Sequence, residues 1–162
     1  MITRLDRDVG RLLKRIDDLG LRENTIVFFT SDNGAAAANW TQYFNSSGPL
    51  RGAKGSFYEG GIRVPMIVRW PGVAPAGSVS DHVGYFGDLL ATAAALAGVS
   101  APVDHDGVSF APTIEGRADE QPSHDFLYWE FYERGSAQAV SKSKWKAVVQ
   151  PMGGSGIELY DL

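Results

Sequence analysis

Thr25-Ile26-Val27-Phe28-Phe29-Thr30 is a continuous apolar and β-branched run that breaks off at Ser31-Asp32-Asn33-Gly34. Lacking polar alternation, it predicts a strand buried on both faces of a parallel sheet. Upstream, Ile2, Leu5, Val9, Leu12, Leu13, Ile16 and Leu19 recur at helical spacing among charged residues, which predicts an amphipathic helix over residues 2–19. Gly20 stands where a left-handed residue would stop that helix, and Leu21-Arg22-Glu23-Asn24 makes the connection. Downstream, Val64-Pro65-Met66-Ile67-Val68-Arg69-Trp70 predicts a second strand, closed by Pro71-Gly72. Between the strands lies a glycine-rich stretch of about 30 residues without a period, and connections of that length are usually functional. Residues 84–97 predict a helix ended by Gly98, so the order helix, strand, long loop, strand, helix implies an α/β layer with helices on both sheet faces.

From Ala101 the texture changes. Phe126–Glu130, Ala137–Val140, Lys144–Val149 and Ile157–Tyr160 are short strand-like pieces separated by Gly and Ser, which predicts a small antiparallel sheet. The whole chain has 162 residues, 44% hydrophobic and 21% charged, enough for a real core and with no apolar run long enough to span a membrane. Its net charge of -4 argues against a nucleic-acid groove or an acidic membrane surface as partner. With no cysteine, the chain has no disulfide, no thiolate metal site and no cysteine nucleophile of its own. The start, Met1-Ile2-Thr3-Arg4-Leu5-Asp6-Arg7, turns charged at once and does not read as a secretory signal. A beginning directly at a helix and an end directly after a strand-like piece read as a chain cut from something longer.

Ligands of open α/β sheets bind beyond the carboxyl ends of the strands, which is where Asp32 and Asn33 fall. A carboxylate beside an amide carbonyl offers hard oxygen donors suited to Ca²⁺ or Mg²⁺, although Asp, Asn and Gly are also the commonest turn residues and Ser-Asp-Asn-Gly by itself reads first as a plain turn. The segment from Gly48 to Pro65 carries five glycines with Arg51, Lys54 and Arg63. Glycines admit close backbone approach and Lys54 or Arg51 can neutralise an anion, against the alternative of a solvated loop. It lacks the order of a Walker phosphate loop. His82, His105 and His124 each adjoin an aspartate, without the spacing of a zinc pair. Asn39-Trp40-Thr41 and Asn45-Ser46-Ser47 fit the N-glycosylation pattern, one that arises often by chance.

Taken in order, Leu19 to Gly34, Pro49 to Pro65 with Gly52-Ala53-Lys54-Gly55-Ser56, and Trp70-Pro71-Gly72 resemble the arylsulfatase-type sulfatases of the alkaline-phosphatase-like superfamily. The likeness continues through Asp88-Leu89-Leu90-Ala91-Thr92, Asp106-Gly107-Val108-Ser109-Phe110, Trp145-Lys146-Ala147-Val148 and Glu158-Leu159-Tyr160-Asp161-Leu162. The resemblance implies an α/β fold: a mostly parallel sheet sandwiched by helices, with residues 1–115 in the C-terminal part of the catalytic domain and 116–162 starting a small antiparallel subdomain. It implies hydrolysis of sulfate esters, Asp32 and Asn33 as ligands to calcium or another divalent cation, and Lys54 as the catalytic and substrate-binding lysine on the sulfate group. It implies a sulfated small molecule or carbohydrate as partner, no nucleic acid or membrane, and a periplasmic, extracellular or lysosomal setting; the oligomeric state stays open. The departures are equally specific. No C-x-P-S-R or S-x-P-S-R segment is present, so the family's formylglycine nucleophile is expected in a missing N-terminal part, and this chain alone is expected to be inactive. Two readings stay beside it: a non-catalytic anion-binding or interaction module built on Lys54, Arg51 and Arg63, and a phosphodiesterase or phosphonate hydrolase of the same superfamily. Asn33, where those enzymes commonly carry His, favours sulfate and calcium.

Overall fold

The computed structural model describes residues 1–36, 43–133, 136–150 and 156–162. Helix α1 spans Ile2–Asp18 and ends as its sequence predicts. Gly20 sits at φ +69°, its N–H donating to the Asp17 carbonyl while that of Leu21 donates to Ile16. This pair of bonds satisfies two carbonyls that the last turn leaves open. A 3₁₀ turn over Arg22–Asn24 leads to β1, Val27–Thr30, and β2 follows at Met66–Arg69. These two strands pair in a two-stranded sheet. The predicted burial on both faces is not met here: β1 is part-buried, with Phe29 exposed, and β2 is its one strand partner among the described residues.

The chain divides into two compact units, residues 1–29 with 67–123 and residues 30–66 with 124–162. In the first, the predicted helix starts later than its apolar pattern: α3, as numbered here after the four-residue α2 of the second unit (Glu59–Ile62), runs Asp88–Leu96. At its first residue the buried carboxylate of Asp88 accepts the N–H of Tyr85 at 3.0 Å and of Val108 at 2.8 Å. One turn on, buried Thr92 donates to the Asp88 carbonyl and accepts the Phe110 N–H at 3.0 Å. Together they fasten the 107–110 segment to α3. Phe110, Ala111 and Ile114, the last two in the short helix α4 (Ala111–Ile114), complete the apolar centre with Ala91 and Ala94, and Phe28 meets Phe110 edge-on at 6.3 Å. Gly98, at φ +68°, closes α3 with the same double bond pattern as Gly20.

In the second unit, the four strand-like pieces are all strands: β3 Leu127–Phe131, β4 Ala137–Lys142, β5 Trp145–Val149 and β6 Glu158–Asp161. They form an antiparallel meander in sequence order. Register assigns the faces. Ala139 pairs with Trp129 and with Val148, Ser141 with Leu127 and Lys146, and Lys146 in turn with Tyr160. Since directly opposed residues share a face, one face carries Leu127, Trp129, Ala139, Lys146, Val148, Glu158 and Tyr160. Leu127, Ala137, Ala139, Lys146 and Val148 are buried on it. No helix among the described residues is long and apolar enough to cross a membrane.

Candidate functional site

The turn after β1 and the glycine-rich loop meet within the second unit. Thr30 Oγ1 donates to the Pro65 carbonyl at 2.8 Å, and Ser31 Oγ donates to the Asn33 carbonyl at 2.9 Å, which fixes the turn at its root. The Gly34 N–H donates to the Gly61 carbonyl at 2.9 Å, and the Lys54 N–H donates to the Ala35 carbonyl at 2.8 Å. The segment bearing Lys54 is thus bonded directly to the segment bearing Asp32 and Asn33. Such closeness needs glycine. A Cβ on Gly34 would stand 1.9 Å from the Gly60 oxygen, one on Gly60 2.3 Å from the Gly52 oxygen, and one on Gly61 2.1 Å from the Ser56 oxygen. Three chain segments therefore pack backbone to backbone, and the glycines of this loop serve contact rather than looseness.

Asn33 donates its side-chain Nδ2 to the Gly34 carbonyl at 2.9 Å, which leaves Oδ1 as the atom of that amide suited to a cation. Asp32 is exposed. Its carboxylate and the Asn33 carbonyl are hard donors that fit Ca²⁺ or Mg²⁺ chemically, two of the about 6–8 oxygens that Ca²⁺ takes. Among the described residues no group of three or more His, Asp or Glu side chains converges on a metal position. Lys54 is exposed as well, with no ion-pair partner among the described residues. His82 belongs to the first unit, its ring tilted against Phe110 at 6.3 Å, and His105 is exposed in a loop of the same unit. Asn45-Ser46-Ser47 lies in turns with Asn45 at φ +48°, whereas Asn39-Trp40-Thr41 lies outside the described residues.

Arg51, read from sequence as a second anion-neutralising cation, is already committed. Its Nη1 lies 2.6 Å from Glu158 Oε2 and also donates to the Tyr160 hydroxyl, and its guanidinium stacks over the Tyr58 ring at 3.9 Å. Tyr58 donates to the same Glu158 oxygen at 3.1 Å, and the Tyr160 hydroxyl donates to it from its own strand. With hydrogen bonds from Tyr160 and Arg51 as the main causes, the Glu158 carboxyl is held below its ordinary value of 4.5. Desolvation, then the bond to Glu158, pushes the Tyr58 hydroxyl up. Sequence reading also missed Glu59 and Lys146. Lys146, 2% exposed, lies 2.5 Å from Glu59 Oε1 and 5.4 Å from the Trp129 ring centre, while Phe57 meets Phe131 edge-on at 6.5 Å. The sheet face defined above therefore holds the loop 51–59 through an ion pair at each end and aromatic contacts between. The available signal was strand alternation, which puts Lys146, Glu158 and Tyr160 on the inward face with Val148.

Comparison with known proteins follows the same stretches. Residues 1–99 match the family model for sulfatases, and residues 53–162 match that for the C-terminal region of N-sulphoglucosamine sulphohydrolase. N-acetylgalactosamine-6-sulfatase of the dog is 39% identical over 150 residues, covering 90% of this chain and 27% of the relative. Among solved structures, Ps i-CgsB in complex with k-i-k-neocarrahexaose is 33% identical with a TM-score of 0.80, over 99% of this chain and 35% of that one. Another, in complex with its substrate D-glucosamine-2-N,6-O-disulfate, is 25% identical with a TM-score of 0.77, over 99% of this chain and 32% of that one. The chain thus spans about a quarter to a third of the length of the proteins it matches.

Proposed function

The chain belongs to the sulfatase family, and we propose from that membership that it forms part of an enzyme hydrolysing sulfate esters of carbohydrates. In this reading residues 1–115 contribute to a mostly parallel sheet sandwiched by helices, and residues 116–162 begin the antiparallel subdomain. Asp32 and Asn33 supply two oxygen ligands to a divalent cation, calcium by donor chemistry. Bound there, the cation supplies Lewis-acid stabilisation of the sulfuryl oxygens. Lys54 directs an ammonium at the same group, where it stabilises negative charge as the S–O bond breaks and the alcohol leaves. The nucleophile, a formylglycine, comes from polypeptide outside these residues, since the 162 residues contain neither cysteine nor an S-x-P-S-R segment. Sulfated sugars are favoured as substrates because two structural neighbours are carbohydrate complexes, one of them with a disulfated glucosamine.

The observation that supports this most is the bond from the Lys54 N–H to the Ala35 carbonyl, which joins the cationic loop to the turn that carries both oxygen donors. The test is to translate the coding DNA upstream of Met1 in frame, then assay the complete product on a sulfated monosaccharide. An in-frame C-x-P-S-R or S-x-P-S-R, sulfate release that stops on chelation and returns with Ca²⁺, and a loss on the order of 10²–10³ in turnover for Lys54→Ala are expected. A complete product that releases no sulfate, or a Lys54→Ala variant at the unaltered rate, overturns the reading.

A further inference from the structure

Resting on the reading of Lys54 given above, we propose that Glu158 and Tyr160 of β6 are positioning residues that hold Arg51, and through it the loop 51–58, so that Lys54 stays bonded against the 33–35 turn. Arg51 stands three residues before Lys54 and is gripped at two points. Its side chain bonds Glu158 and Tyr160, and its carbonyl accepts the Gly60 N–H at 2.7 Å. Beyond Lys54 the loop is fixed again, by Ser56 Oγ donating to the Ala53 carbonyl at 2.8 Å and by Glu59 paired with buried Lys146. A lone exposed ion pair would do little, and both Arg51 and Glu158 are exposed. Here a single carboxylate oxygen gathers three donors, Arg51, Tyr58 and Tyr160, and the two tyrosine rings meet edge-on at 6.0 Å. A network of this kind restricts geometry where an isolated pair does not.

The groups that face Glu158 are Arg51 and Tyr58 from the loop and Tyr160 from its own strand. The carboxylate is the form they bind, so its value in the folded chain is depressed. The clasp is therefore complete above the ordinary carboxylate range and is lost as pH falls through the lowered value.

The experiment uses the ¹⁵N-labelled 162-residue chain with Glu158→Gln, Tyr160→Phe and Lys54→Met. Exchange of the Lys54 and Gly60 amide hydrogens should become about tenfold faster in Glu158→Gln and in Tyr160→Phe, while β4–β5 amides keep their rates. The Lys54 amide shift should follow the Glu158 titration in the natural sequence and lose that inflection in Glu158→Gln, a signature that general loss of stability does not produce. With inorganic sulfate as the probe, Kd should rise about three- to tenfold in both clasp variants. Unchanged Lys54 and Gly60 exchange in both variants, or a Lys54 inflection that persists in Glu158→Gln, overturns the clasp. Should Glu158→Gln fail to fold, Tyr160→Phe, which keeps the ring, decides by its exchange alone. Lys54→Met separates the two claims: it should abolish the sulfate response without loosening Gly60. Undiminished sulfate affinity in that variant overturns the role of Lys54, whereas the exchange rates still decide the clasp.

Discussion

Lys146 is the residue that the strand pattern would least tolerate without help, a charge at an inward position between Trp145 and Ala147. Removing an ammonium from water costs several kcal/mol, and Glu59 at 2.5 Å together with the Trp129 face offsets that cost. Glu59→Gln keeps the shape and removes the charge, leaving Lys146 buried without a counter-ion. Urea denaturation of that variant should show a loss of about 3–5 kcal/mol. Glu59→Leu combined with Lys146→Met should recover most of it, because neither charge then needs solvation. A double variant as unstable as the single one would mean that Lys146 is held by packing of its alkyl stem and not by its charge.

At the scale of the element, Gly10 and Gly61 make opposite predictions. Gly10 lies inside α1 with nothing within 4 Å of a built Cβ, so Gly10→Ala should stabilise the helix by about 0.5–1 kcal/mol. Gly61→Ala would place its methyl 2.1 Å from the Ser56 oxygen and 2.6 Å from the Ala53 oxygen, both backbone atoms that cannot swing away. It should cost about 1–3 kcal/mol or more and weaken the bond from Gly34 to Gly61. Circular dichroism melts of the two variants should move in opposite directions. The contrast also explains what could be read in advance. Strands such as β3 to β6 and the ends of α1 and α3 were legible because local chemistry decides them: β-branched and aromatic runs in one case, a left-handed glycine in the other. The short helix Glu59–Ile62 was not legible, since Gly60 and Gly61 are poor helix formers and the close approach that requires them comes from residues 34 and 52. At the site, Asp32, Asn33 and Lys54 could be named because their types suit cation and anion chemistry. The bond between Arg51 and Glu158, 107 residues apart, has no local pattern to announce it.

At the scale of the whole molecule, the apolar stripe of α1 is the feature with the largest consequence. The helix has the amphipathic period of a packed element, yet none of its residues is buried, and Ile2, Leu5, Leu12 and Leu19 are exposed by 53% or more. Asp17 ties the far end of the helix to β2 through Arg69 at 2.9 Å, so the stripe is anchored at one end rather than free to turn inward as a whole. An apolar stripe in water has a free-energy incentive to find another apolar surface, roughly 25 cal/mol for each Å² covered. The 162-residue chain in isolation should therefore associate with itself. Sedimentation velocity over a dilution series should show a weight-average mass that rises with concentration from the 17.5 kDa of one chain. Leu5→Glu with Leu12→Glu, on solvent-facing positions of α1, should hold the chain monomeric at the same concentrations without lowering its melting temperature, because neither side chain contributes to a folded core. Equal association by the double variant would shift the cause to the exposed apolar residues of the strand pair, Phe29, Met66 and Ile67. Those residues would then be the next to substitute, since an unpaired strand edge recruits partners through its backbone as well as its side chains.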